Sequence, residues 1–183
     1  PRYTLHMRRL PLALAVLRIL PCLALAAFAP TAFANDRYAA EYAAAIRPEA
    51  GVIDVELKLS GERLPSSIVL TVDPKRHRNF TSTDPLEMQG SEATWRPRGK
   101  FSRLKFEFVV NHERKPGRYD SYMTNSWAVF RGDKMMPRAR VKARRGLASA
   151  ATLAFTAPPG WSVITPYAPV AEHQYAIDDP SRR

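Results

Sequence analysis

From residue 52 to residue 59 the chain alternates: Ile53, Val55, Leu57 and Leu59 are apolar, while Asp54, Glu56 and Lys58 are charged. A period of two puts each set on its own side of an extended backbone, which predicts a strand with one buried face. The same pattern returns in Leu104, Phe106, Phe108 and Val110, set against Arg103, Lys105, Glu107 and Val109. This second strand, at the head of residues 101–133, is expected to be the central one, with its apolar face against another sheet. Lys115-Pro116-Gly117 breaks the chain after it, and an aromatic-rich run over 119–130 resumes before Gly132-Asp133. Further short strands are predicted over 68–72, closed by Asp73-Pro74, and over 127–130, 139–143 and 150–156. Residues 35–47 are alanine-rich and read either as a helical turn or two stopped by Pro48 or as a first extended edge segment. Residues 75–90 read as a polar loop, long for a compact domain and of the kind that contacts partners. Short strands at this spacing, with no 3.6-residue period after residue 47, predict an all-β fold built as a twisted antiparallel β-sandwich.

The N-terminal pattern differs. Residues 1–34 contain four arginines and no acid. Met7-Arg8-Arg9 reads as a start and a basic flank, residues 10–27 as an apolar stretch, and Ala32-Phe33-Ala34 as a small-x-small cleavage site. These features predict a cleavable N-terminal signal helix, with translation from Met7, cleavage after Ala34 and a β-sandwich domain over 35–183. Arg18 and Pro21 interrupt the apolar run, which argues against a spanning helix. Cys22 follows Pro21 where a lipoprotein signal would place a small residue, so lipidation is not expected. The expected location is periplasmic or extracellular, with membrane contact during export alone. Cleavage would remove the sole cysteine, and with it any disulfide or thiolate metal site.

Removing the leader also changes the charge, because four of the 28 basic residues lie in it and none of the 17 acidic ones does. The remaining excess of about seven positive charges concentrates at Lys75-Arg76-His77-Arg78 and at residues 138–145 (RARVKARR). Nucleic-acid binding calls for stacking aromatics among such charges, and neither cluster contains any. Arg138, Arg140, Lys142 and Arg144 alternate with Ala139, Val141 and Ala143, the pattern of a strand with one solvated basic face. No nucleic-acid partner is expected.

Catalytic patterns are missing from the sequence. His112-Glu113 opens like a metalloprotease motif, but the position four after His112 is Pro116, and Glu172-His173 has no second histidine nearby. His77, His112 and His173 are expected on loops or strand ends at the surface. There is no G-x-S-x-G elbow and no phosphate-binding glycine loop. Asp178-Asp179, before Pro180, reads as a solvated turn rather than a cation site. The chain by itself is expected not to be an enzyme and to hold no cofactor. Trp95, Tyr119, Tyr122, Trp127, Trp161 and Tyr167 suit a sandwich core or interface, or else a groove for a peptide or glycan.

The segments TWRPRG at 94–99, FSRLKFEFVVNHE at 101–113, GRYDSYMTNSWAVFRGD at 117–133 and PPGWSVITPY at 158–167 together resemble the N-terminal domain of the glycyl aminopeptidase family of zinc metallopeptidases. In that family a β-rich front domain precedes the peptidase domain, and the resemblance spans about residues 50–180. The family's zinc-binding HExxH helix has no counterpart here. The resemblance therefore implies the non-catalytic front domain of an exported metallopeptidase-like protein, with zinc belonging to a downstream catalytic domain. The implied partner is that C-terminal peptidase domain, in cis, with a peptide as substrate and this domain shaping the cleft. Trp95, Arg118, Tyr119, Asp120 and Tyr122, which cluster in the resembling segments, are the expected binding or interface residues. The alternative is a free-standing periplasmic β-sandwich that binds peptide or glycan.

Overall fold

The computed structural model describes residues 36–177. The expected signal helix with cleavage after Ala34, and the expected turn at Asp178-Asp179, lie outside the described residues. Within them the chain is all-β. Fourteen strands form a seven-stranded sheet in the order β13 (Ala168–Ala171), β14 (Gln174–Ile177), β12 (Ala148–Thr156), β1 (Arg37–Arg47), β2 (Val52–Ser60), β7 (Phe101–Val109), β4 (His77–Ser82), a four-stranded sheet in the order β11 (Arg138–Lys142), β3 (Ser67–Thr71), β6 (Glu92–Trp95), β5 (Leu86–Gln89), and a small sheet in the order β10 (Ala128–Val129), β9 (Arg118–Met123), β8 (His112–Lys115).

β2 (Val52–Ser60) and β7 (Phe101–Val109) pair antiparallel in unbroken register from Val52↔Val109 to Ser60↔Phe101. Their alternation has the predicted effect: Ile53, Val55, Leu57 and Leu59 are buried on one strand, and Leu104, Phe106 and Phe108 on the other. Across from them lie Ile68 and Leu70 of β3 (Ser67–Thr71), Ala93 and Trp95 of β6 (Glu92–Trp95), and Ala139 of β11 (Arg138–Lys142), in one continuous core. Two sheets that close over a shared apolar interior make a sandwich. The basic strand β11 also follows its pattern, since Ala139 is buried and Arg138, Arg140 and Lys142 are exposed.

β1 (Arg37–Arg47) follows the extended reading of its sequence and departs from the helical one, but it is not an edge. It is a strand, and a central one, parallel to β12 (Ala148–Thr156) on one side and antiparallel to β2 on the other. Alanine's helical preference loses here because Tyr38, Ala40, Tyr42 and Ala44 point inward at a period of two and join the core. A short 3-10 turn over Pro48–Ala50 ends the strand. Gly51 then reverses the chain with φ of 67°, a left-handed conformation that glycine adopts without side-chain strain.

The stretch 75–90 is not a loop. It contains β4 (His77–Ser82), the edge strand beside β7, and β5 (Leu86–Gln89), which pairs with β6. Few apolar residues mark these strands because both lie at sheet edges, with most of their side chains in solvent. β4 gains a residue opposite Phe106, where Asn79 takes a positive φ of 57° and Phe80 stacks on the Phe106 ring at 5.0 Å.

The small sheet is made of β8 (His112–Lys115), β9 (Arg118–Met123) and β10 (Ala128–Val129). A single helical turn, α1 (Gly132–Met135), and then β11 follow it. β13 (Ala168–Ala171) and β14 (Gln174–Ile177) form a terminal hairpin on β12, turned at His173, whose φ is 53°.

Candidate functional site

A cleft of about 840 Å³ lies among the turn 73–77, the start of the small sheet and the α1 turn. Its floor is set by local hydrogen bonding. The Asp73 carbonyl accepts from the Arg76 and His77 amides at 2.9 and 2.7 Å, and its carboxylate accepts from the Lys75 amide at 3.0 Å. This tight turn aims the Arg76 side chain inward. Arg76 and His77 are only 4% and 7% exposed, which corrects the expectation that His77 is a surface histidine. Lys75 and Arg78, their neighbours on either side, are exposed.

Burial of a guanidinium requires partners. Arg76 lies over the Phe108 ring at 4.4 Å, and one terminal nitrogen donates to Ser121 Oγ at 2.6 Å and to the Val110 carbonyl at 3.5 Å. Its other terminal nitrogen is 3.5 Å from Asp120 Oδ1. Nε has no partner among the described residues. Burial lowers the Arg76 pKa, against the opposing pull of the Asp120, Asp73 and Asp133 carboxylates. His77 is fixed as the Nε2–H tautomer: Nδ1 accepts from the Asp73 amide at 3.1 Å, and Nε2 donates to the Lys134 carbonyl at 2.8 Å. Burial lowers its pKa as well, so the ring is neutral at neutral pH.

Two bulges complete the cleft. In the pairing of β8 with β9, His112 faces Ser121, Glu113 faces Tyr119 and Lys115 faces Arg118. Asp120 and Arg114 are the residues left over, one on each strand, and both line the cleft. Such insertions re-aim side chains. Asp120 thereby reaches His112 Nδ1 at 2.9 Å. An ionised carboxylate can only accept, so His112 donates from Nδ1. Burial works to raise the Asp120 pKa, but the His112 hydrogen bond and the Arg76 charge outweigh it and hold the carboxyl below its ordinary value.

A His–Asp pair of this kind can orient a general base, but the adjacent Ser121 hydroxyl is already committed. Ser121 is buried, and its hydroxyl donates to the Val110 carbonyl while accepting from Arg76. No group of three or more His, Cys, Asp or Glu side chains converges among the described residues. His112 and Asp120 by themselves fall short of the three protein ligands that a zinc ion takes.

The structure separates the sequence-derived site residues into three environments. Trp95 is fully buried in the sandwich core on β6 and has no surface to offer a partner. Asp120 belongs to the cleft. Arg118, Tyr119 and Tyr122 are exposed on β9, where the Tyr119 and Tyr122 rings meet edge to face at 4.8 Å and Tyr122 lies 5.8 Å from Trp127. With Val129, 64% exposed, these rings make an apolar platform on the small sheet. Trp161 and Tyr167, by contrast, pack partly buried against the core. Sequence reasoning missed Arg76, His112 and Arg114; the Asp73-Pro74 turn, which fixes the course of the backbone at Arg76, was the one signal available.

No family model matches this chain, and no curated protein does. Among solved structures it is similar to the M1 zinc metallopeptidase from Deinococcus radiodurans, with 13% sequence identity and a TM-score of 0.31. That match covers 67% of this chain and 32% of the metallopeptidase, so the likeness is weak and spans under a third of the other protein.

Proposed function

We propose that residues 35–183 form a non-catalytic recognition domain of an exported metallopeptidase-like protein, which packs against a peptidase domain in the same polypeptide. The observation that carries this reading is the platform of Tyr119, Tyr122, Trp127 and Val129, whose side chains are between 37% and 64% exposed and face outward together. A strand pair that turns three aromatic rings to one side, with only two residues in its outer strand β10, stabilises little by itself. Covered by a second domain, the same rings would supply the large, rigid contacts typical of an interface centre. The ordered motifs in which these rings occur support the choice of partner, and the leader-like N terminus supports export.

The test is the intact mass of the native product from its source cells, followed by a Tyr122→Ser/Trp127→Ser variant of that product. A species much heavier than the 183-residue chain, whose domains separate more readily on limited proteolysis in the variant, is the expected result. A mature product ending at Arg183 would overturn the proposal and favour a free-standing binding module.

A further inference from the structure

We propose that the cleft over Arg76 is a binding site for a carboxylate group, of the kind that ends a peptide or an amino acid. This inference stands apart from the aromatic platform and does not depend on a peptidase partner. Five full cations line the cleft, Arg76, Arg114, Arg131, Lys134 and Arg138, against three carboxylates, Asp73, Asp120 and Asp133. Two acids are already committed. Asp133 is held by Arg131 through two contacts at 2.9 and 2.7 Å, and Asp120 is shared between His112 and Arg76. Arg114 and Arg138 form no salt bridge among the described residues. With Lys134, which forms none either, the lining thus carries three unpaired cations beside the buried guanidinium of Arg76.

The shape of the charge selects the ligand. A guanidinium presents a planar fork that matches the two coplanar oxygens of a carboxylate. The acids in the walls neutralise part of the field and repel a second negative charge, which disfavours a doubly ionised phosphate relative to a singly charged carboxylate. At about 840 Å³ the cleft also has room for residues behind that carboxylate.

The experiment uses the full 183-residue chain, titrated calorimetrically at low salt with triglycine, triglycine amide, acetate and inorganic phosphate. Triglycine is expected to saturate and its amide to bind about tenfold more weakly or not at all, because only the charged terminus meets the arginines. Acetate binding as tightly as triglycine would assign the site to small free carboxylates, and weaker acetate binding would assign it to peptide ends; both support a carboxylate site. Arg114→Gln, at an exposed position with no salt bridge, should weaken triglycine about fivefold or more, and Arg76→Met should do the same. The proposal is overturned by equal binding of acid and amide, by phosphate binding more tightly than either carboxylate, by absence of saturable binding, or by an Arg114→Gln protein that binds like the parent.

Discussion

Arg76 is the residue at which burial, charge and packing are most directly opposed, and replacing it in two ways separates them. Arg76→Ala removes a charged hydrogen bond to Ser121, which typically contributes about 1.5–3 kcal/mol. It also removes the guanidinium face over Phe108, which adds about 2 kcal/mol when desolvated, and leaves a void in the cleft floor. Against these stands the desolvation penalty of a buried cation, itself several kcal/mol. Because the same polar groups keep their partners in either variant, the void decides the balance, and truncating so large a buried side chain to alanine gives a net loss of about 3–5 kcal/mol. Arg76→Met keeps most of the volume and places a thioether near the Phe108 ring while removing the charge that had to be desolvated. Asp120 keeps His112, and Ser121 keeps the Val110 carbonyl, so no buried polar group is stranded. That replacement should cost only about 1 kcal/mol.

Urea unfolding followed by tryptophan fluorescence reads the difference. With a slope of about 2 kcal/mol/M, the midpoint should fall by about 1.5–2.5 M for the alanine variant and by about 0.5 M for the methionine variant. Equal falls would mean that the ion pair itself stabilises the fold and that its desolvation cost has been overestimated here. A midpoint unchanged in Arg76→Ala would contradict the placement of the guanidinium on Phe108.

Three other outcomes follow from the same geometry. Below pH about 6.5 the unfolded chain protonates His77 while the folded chain, its pKa lowered by burial, does not; stability should therefore be full above that pH and fall by up to about 1.4 kcal/mol per unit as pH drops toward the folded value. A His77→Gln protein with the same urea-midpoint slope between pH 6.5 and 5 would refute this. Trp95→Ala should lose about 3–5 kcal/mol and Trp127→Ala less than about 0.5 kcal/mol in thermal melts, and similar losses at both positions would contradict the assignment of one ring to the core and the other to the surface. Gly61→Ala would bring a methyl group to 3.0 Å from Tyr38 Cβ and 3.1 Å from its Cα, neither of which can move without the strand. A loss of about 1–3 kcal/mol is expected in urea melts, and a neutral effect would argue against that close approach.

How much of this was legible in the chain depended on whether one local pattern decided the outcome. β2, β7 and β11 were plain because their side chains alternate and one face of each is buried, so that a shift by one residue would turn every apolar group outward. β1 was obscured by its alanines, whose local preference is helical. Its strand state is enforced by β12 and β2, one of them more than a hundred residues away in sequence. β4 and β5 were obscured for the opposite reason: edge strands with solvated side chains have little to distinguish them from a polar loop.

The cleft was harder still, because its chemistry arises where regular patterns fail. Nothing in the run Lys75-Arg76-His77-Arg78 marks its two middle residues for burial, and composition alone favours a solvated cluster. The burial follows from a turn closed on the Asp73 carbonyl and from an aromatic floor supplied by β7, a strand that begins 25 residues later than Arg76. Asp120 is similar. In unbroken pairing it would stand opposite Glu113, and the repulsion between two carboxylates would work against that register. The bulge removes the opposition and gives Asp120 two cationic or hydrogen-bonding neighbours, Arg76 and His112, in exchange. The same irregularity that hid the site from the sequence is thus what relieves the charge conflict and assembles the cleft, so restoring regular pairing by deleting Asp120 should dismantle the His112 contact while leaving the sandwich core in place.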